Sequence, residues 1–147
     1  MQERARYLCF SVLVADGWTA DVRGTKHHSF LKVVPDAGDV ALSLSLVDLA
    51  KLSFEASQWP HHVAQFNRRR KRAVHAAACG DFSGYNVQSE VQGKWSNYWA
   101  LHSGDAAIEV NYWCPLRLRQ RDDDVVCEML STLQFEPSES GEDTPTG

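Results

Sequence analysis

Six histidines, four cysteines, three consecutive aspartates and a block of five cations are the residues of this sequence with usable chemistry. The histidines are His27, His28, His61, His62, His75 and His102, and four of them form adjacent pairs. Neighbouring residues diverge on a strand or a helix. A metal ion needs ligands converging from one face, as His-x-x-x-His does on a helix. His62 has Phe66 at that spacing rather than a second histidine, so solvated or capping roles are expected and no metal. Asp122, Asp123 and Asp124 diverge for the same reason. Their charge suits the N-terminus of a helix, where the macrodipole favours it, and a cap explains them without a cation.

Cys9, Cys79, Cys114 and Cys127 share no CxxC spacing, so neither a zinc knuckle nor a thioredoxin-like site is written here. They sit among apolar neighbours such as Leu8, Phe10, Trp113 and Val126, and reduced, buried thiols are expected. A cysteine nucleophile requires a nearby base and a lowered pKa. Cys79, with His75 before it and Gly80-Asp81 after it, comes nearest, but an ordinary structural cysteine is the simpler reading. No Gly-x-Ser-x-Gly elbow, Walker-type loop or dinucleotide fingerprint occurs. No catalytic residue and no cofactor is therefore expected.

Two features remain for binding. The run Arg68, Arg69, Arg70, Lys71, Arg72 follows Asn67, and on a helix it spreads over more than a turn, so it forms no single face. It could contact phosphates, yet the chain carries a net charge of -4 and no nucleic-acid-binding motif surrounds the run. A solvated helix end, favoured by the macrodipole, is the plain reading, and a patch for a protein partner at Arg68, Arg69 and Arg70 is the functional one. Nucleic acid is not expected. The second feature is aromatic: Trp95, Tyr98, Trp99, Tyr112 and Trp113 fall on two adjacent predicted strands. Successive residues of a strand point to opposite faces, so most of these rings belong to a core. A surface subset, Tyr98 with Trp95 or Trp113, is the expected contact patch, because exposed tyrosine and tryptophan are enriched at binding hot spots.

The elements that must position these residues can be read from pattern. The chain has 147 residues, 44% hydrophobic and 23% charged, which suits one soluble domain with its own core. Residues 7–14 read as a first strand. A short signal sequence is disfavoured there because Glu3 dilutes the positive end formed by Arg4 and Arg6, and no small-residue cleavage site precedes Asp16. A cytoplasmic location and no membrane span are expected. Residues 18–22 and 29–34 continue as strands, and Pro35, Gly38 and Asp39 make a turn. Residues 40–47 alternate, with Val40, Leu42, Leu44 and Leu46 on one face.

A helix with Pro60 in its first turn starts near 59, carries Val63, Phe66, Arg70 and Val74 at helical spacing, and ends somewhere in 70–78. Residues 85–91, 95–101 and 107–114 form an antiparallel meander joined by short turns. Val126, Met129, Leu130 and Leu133 make the apolar stripe of a second helix. Residues 136–147 are polar and acidic and read as a disordered tail after a single domain over 1–135.

This order of strands, helix, strands, helix predicts an α+β fold, an antiparallel sheet of about six strands with two main helices packed on it. It resembles the PsbP-like sandwich. That group includes the DcrB-type bacterial proteins, a nuclear-import factor that binds the GTPase Ran, and chaperones of type VI secretion effectors. The resemblance is carried by a first strand running into Asp16-Gly17-Trp18, the alternating Ala41-Leu42-Ser43-Leu44-Ser45, the meander, and the closing Leu130-Ser131-Thr132-Leu133-Gln134-Phe135. It covers residues 7–135 and implies a scaffold whose members mostly bind other proteins, with no functional residue carried over. The expectation is a non-catalytic bacterial domain that binds another protein, as an adaptor, effector chaperone or toxin-immunity protein. The alternative is an enzyme or small-ligand carrier with a pocket between sheet and helix.

Overall fold

The computed structural model describes residues 2–25, 28–38 and 40–137. Most of the expected acidic tail, from 138 onward, lies outside the described residues, as do His27 and Asp39.

The N-terminal apolar run is divided rather than continuous. Strand β1 (Glu3–Tyr7) turns at Leu8 and Cys9 into β2 (Phe10–Val14), with Tyr7 opposite Phe10. Leu8 takes a left-handed φ of 55° at a hairpin position that glycine or asparagine normally fills, so no turn residue marks the break. Strands β3 (Trp18–Thr25), β4 (His28–Pro35) and β5 (Ala41–Leu46) then pair antiparallel in sequence order. Leu42 and Leu44 are buried as the alternation predicts, whereas Leu46 is exposed where the strand ends.

A single turn, α1 (Leu49–Leu52), precedes α2 (Trp59–Arg69), which has Pro60 in its first turn. The helix does not run on into the seventies. Lys71 adopts φ 60°, the left-handed conformation that closes helices and usually falls to glycine, and the chain leaves as β6 (Ala73–Cys79). This strand was not expected, since Ala-Val-His-Ala-Ala-Ala-Cys has helical propensity. Its pairing with β7 (Phe82–Val91) along its whole length overrides that preference. Gly80 makes the turn between them at φ 64°, and a Cβ there would stand 2.1 Å from the Leu133 carbonyl oxygen. Only glycine fits.

The meander is as predicted: β7, β8 (Lys94–Ser103) and β9 (Ala106–Pro115) pair in order. A 3-10 turn at Leu116–Leu118 leads to α3 (Asp123–Leu130) and the short β10 (Gln134–Phe135). Val126, Met129, Leu130 and Leu133 are buried. Asp122, at the N-cap of α3, makes no side-chain cap. Its carboxylate accepts a hydrogen bond from the Tyr112 hydroxyl at 2.7 Å and pairs with Arg121 at 2.8 Å, tying α3 to β9. Burial and this carboxylate hold the Tyr112 hydroxyl pKa well above the usual tyrosine range.

The fold is α+β with antiparallel sheets, but the described residues form ten strands in two sheets rather than about six in one. The large sheet has seven strands in the order β3-β4-β5-β9-β8-β7-β6, and the small one is β1-β2-β10. One face of the large sheet, through Leu42, Leu44, Leu101, Ile108 and Val110, packs on Phe10 and Val12 of β2 and on the apolar stripe of α3. The opposite face meets α2, where Trp59 and Ala56 sit on Ala100 and Ala107. All four cysteines are free. Cys79 and Cys114 are buried as expected, but Cys9 is only half-buried and Cys127 is exposed on α3.

A candidate binding groove between helix and sheet

Strand parity sorts the aromatic residues. Trp95 and Trp99 lie on the inner face of β8, against β2 and α3, while Tyr98 and Ala100 lie on the outer face with α2. On β9, Tyr112 is inward and Trp113 outward. Tyr98 and Trp113 therefore share a face. Trp95 lies on the other one, half-buried against the core, with the Arg119 guanidinium 5.3 Å from its ring.

Across the outer face the side chains fall in rows set by the register. Ser89, Ser96, Trp113 and Ala41 are in line across β7, β8, β9 and β5, and Val87, Tyr98, Asn111 and Ser43 form the next line. Helix α2 sits over the Tyr98 and Ala100 lines. The serines of the neighbouring line are too short to fill the space that the helix leaves. A groove of about 510 Å³ results, open to solvent, with the two serines and Tyr98 in its floor. Val63, Phe66 and Asn67 of α2 form one wall, Trp113 another, and Leu52 and Phe54 complete it.

Among the described residues, the exposed large apolar side chains concentrate here. Leu52, Phe66, Val91 and Trp113 are 44%, 45%, 47% and 45% exposed, and all four line the groove. Only Leu8, Val22 and Leu46 are comparably exposed elsewhere. Apolar exposure gathered in this way makes the groove a candidate binding surface.

The basic run is divided by its surroundings. The Arg70 guanidinium stacks on the Phe66 ring at 3.8 Å, and Arg68 lies 5.4 Å from the Tyr85 ring. Arg69 is exposed. Arg72 donates to the Asn67 Oδ1 at 2.8 Å, and the Asn67 amide in turn donates to the Val63 carbonyl at 2.8 Å. The left-handed turn at Lys71 thus brings Arg72 into the groove lining. Arg72, Phe66, Leu52, Val91 and the serine line were missed as site residues. The one available signal was parity: Ser96 lies two residues from Tyr98 and so shares its face, whereas Trp95 does not.

Neither Tyr98 nor Cys79 is set up to ionise near neutral pH. The Tyr98 hydroxyl donates to the Glu109 Oε1 at 2.9 Å, and burial, then the Glu109 charge, push its pKa up, so it stays neutral. Cys79 lies on the inner face, where burial pushes its thiol up to about 11, the reverse of the activation a nucleophile needs. The pair His61 and His62 splits as its spacing requires: His61 Nδ1 is 3.1 Å from the Tyr85 hydroxyl, and His62 stacks on Phe54 at 3.9 Å. No three His, Cys, Asp or Glu side chains among the described residues are grouped to hold a metal ion.

No family model matches this sequence, and no curated protein matches it. Solved structures do resemble the fold. The solution structure of PsbP (CyanoP) from the cyanobacterium Synechocystis sp. PCC 6803 superposes with a TM-score of 0.57 at 9% identity, over 91% of this chain and 92% of that one. The fold is PsbP-like. LpqN, a protein involved in cell envelope biogenesis of Mycobacterium tuberculosis, matches with a TM-score of 0.51 at 13% identity, over 87% of this chain and 83% of its own. A Bacteroides thetaiotaomicron VPI-5482 protein matches at 0.58 and 15% identity, and the PsbP-like domain spans 92% of this chain but 47% of that longer one. At such identities the likeness establishes the fold alone. No helix among the described residues is long and apolar enough to cross a membrane.

Proposed function

We propose that this PsbP-like domain is a non-catalytic binding protein that receives part of another protein in the groove between α2 and the meander. The observation that carries this reading is the clustering of Leu52, Phe66, Val91 and Trp113, each nearly half exposed, around one groove. Large apolar side chains held in that state are stabilised by a partner that removes them from water, at about 25 cal/mol per Å² of apolar surface covered. Aromatic anchors in a shaped depression are also where interface energy concentrates. The role fits a bacterial adaptor, effector chaperone or toxin-immunity protein, and we place it in the cytoplasm, where free thiols stay reduced.

A second reading, a carrier of a small apolar ligand, is favoured by the groove's volume of about 510 Å³, within the range of small-molecule sites. Tagged wild-type and Trp113→Asp chains, both verified as folded by circular dichroism, separate the two in pull-downs from the source organism. The expected result is one stoichiometric partner with wild type and none with the variant. A partner retained equally by both, or none with wild type, contradicts the proposal. A small molecule found by native mass spectrometry instead of a partner moves the function to the second reading.

A further inference from the structure

Resting on the protein-binding reading above, we infer that the occupant is a segment of another protein whose apolar side chains are flanked by carboxylates, which Arg70 and Arg72 receive. The charge distribution carries this. The chain carries a net charge of -4, yet among the described residues no acidic side chain lines the groove. Two of its five contiguous cations meet the groove instead, Arg72 in its lining and Arg70 on Phe66. Neither arginine forms an ion pair among the described residues.

Both guanidinium groups are also held in useful attitudes. Arg70 lies over the Phe66 ring, 3.8 Å from its centroid, which restrains the side chain beside the groove, and a guanidinium suits bidentate carboxylate recognition. Arg72 is tethered through one nitrogen to Asn67, a buried side chain itself bonded to the Val63 carbonyl, so less rotamer entropy is lost when it binds. Apolar and aromatic walls with two organised cations at the rim together fit an acidic, amphipathic peptide. A nucleic acid could meet the same cations and stack a base on Trp113, but it has no aliphatic groups to cover Leu52 and Val91.

Selection of random phage-displayed peptides on the immobilised full chain tests this, with titration calorimetry of the enriched sequences. The expected winners carry Asp or Glu within a few residues of two or more large apolar side chains. Their affinity should fall about tenfold in Arg70→Gln/Arg72→Gln, fall with added salt, and vanish in Trp113→Asp. Apolar winners without acidic enrichment that still require Trp113 overturn the inference and leave the protein-binding groove standing. Winners indifferent to Trp113→Asp overturn both. Binding of oligothymidylate or dodecanoate with no peptide selected overturns the peptide occupant.

Discussion

The two faces of the large sheet are built from the same strands and end in opposite states. Inward, Leu42, Leu44, Ile108 and Val110 are fully buried under β2, its neighbours and α3. Outward, Ala100 and Ala107 are equally buried, but only where Trp59 covers them, and Trp113 on the same face is 45% exposed. The difference is one of cover. Seven strands at about 4.8 Å spacing make a surface about 29 Å wide. Helix α2 has 11 residues, hence a length of about 16 Å, and cannot roof it. The inner face holds the core, and the uncovered part of the outer face carries the groove proposed to bind.

Truncations on the two faces should therefore differ most. Ile108→Ala is expected to cost about 2–5 kcal/mol in urea unfolding, because the rigid inner core cannot collapse around the cavity. Trp113→Ala removes more atoms yet should cost less than about 1 kcal/mol, since its ring is half in water already. Equal costs would break the comparison. Gly80→Ala should cost about 3 kcal/mol, because the left-handed backbone and the Leu133 carbonyl both oppose a Cβ.

The buried Cys79 sharpens the picture through pH. Below pH 9 both folded and unfolded chains keep the thiol proton. Between 9 and about 11 the unfolded chain loses it first, so stability should decline across that window. A total loss of about 2–3 kcal/mol across the window is expected from this group and should be missing in Cys79→Ala, as read by chemical unfolding at stepped pH. A small effect of the opposite sign is expected far from both faces. Leu8→Gly relieves a left-handed leucine in the hairpin turn and should stabilise by about 0.5–1 kcal/mol, visible as a higher Tm.

Much of the frame was legible because its signals are local. The period of two at 107–114 and the stripe Val126, Met129, Leu130 each announce an element and its buried side. The hairpin at Leu8 and the helix stop at Lys71 were not legible, since each puts an ordinary side chain where glycine usually stands. Strand β6 was hidden for a related reason: its alanines favour a helix, and only pairing with β7 makes them a strand. The candidate groove was legible only in part. Tyr98, Trp113 and Arg70 were in view, but joining them required knowing which face α2 covers and how far. Trp95 was grouped with Tyr98 although an odd spacing puts them on opposite sides of the sheet.

The most direct test of the central claim is side-chain oxidation footprinting of the complex with the captured partner, quantified residue by residue by mass spectrometry. The two-face account predicts that binding protects Trp113 and Phe66 while Trp95 and the exposed Leu8 keep their reactivity. Unchanged oxidation at Trp113 and Phe66, with protection elsewhere, would contradict it.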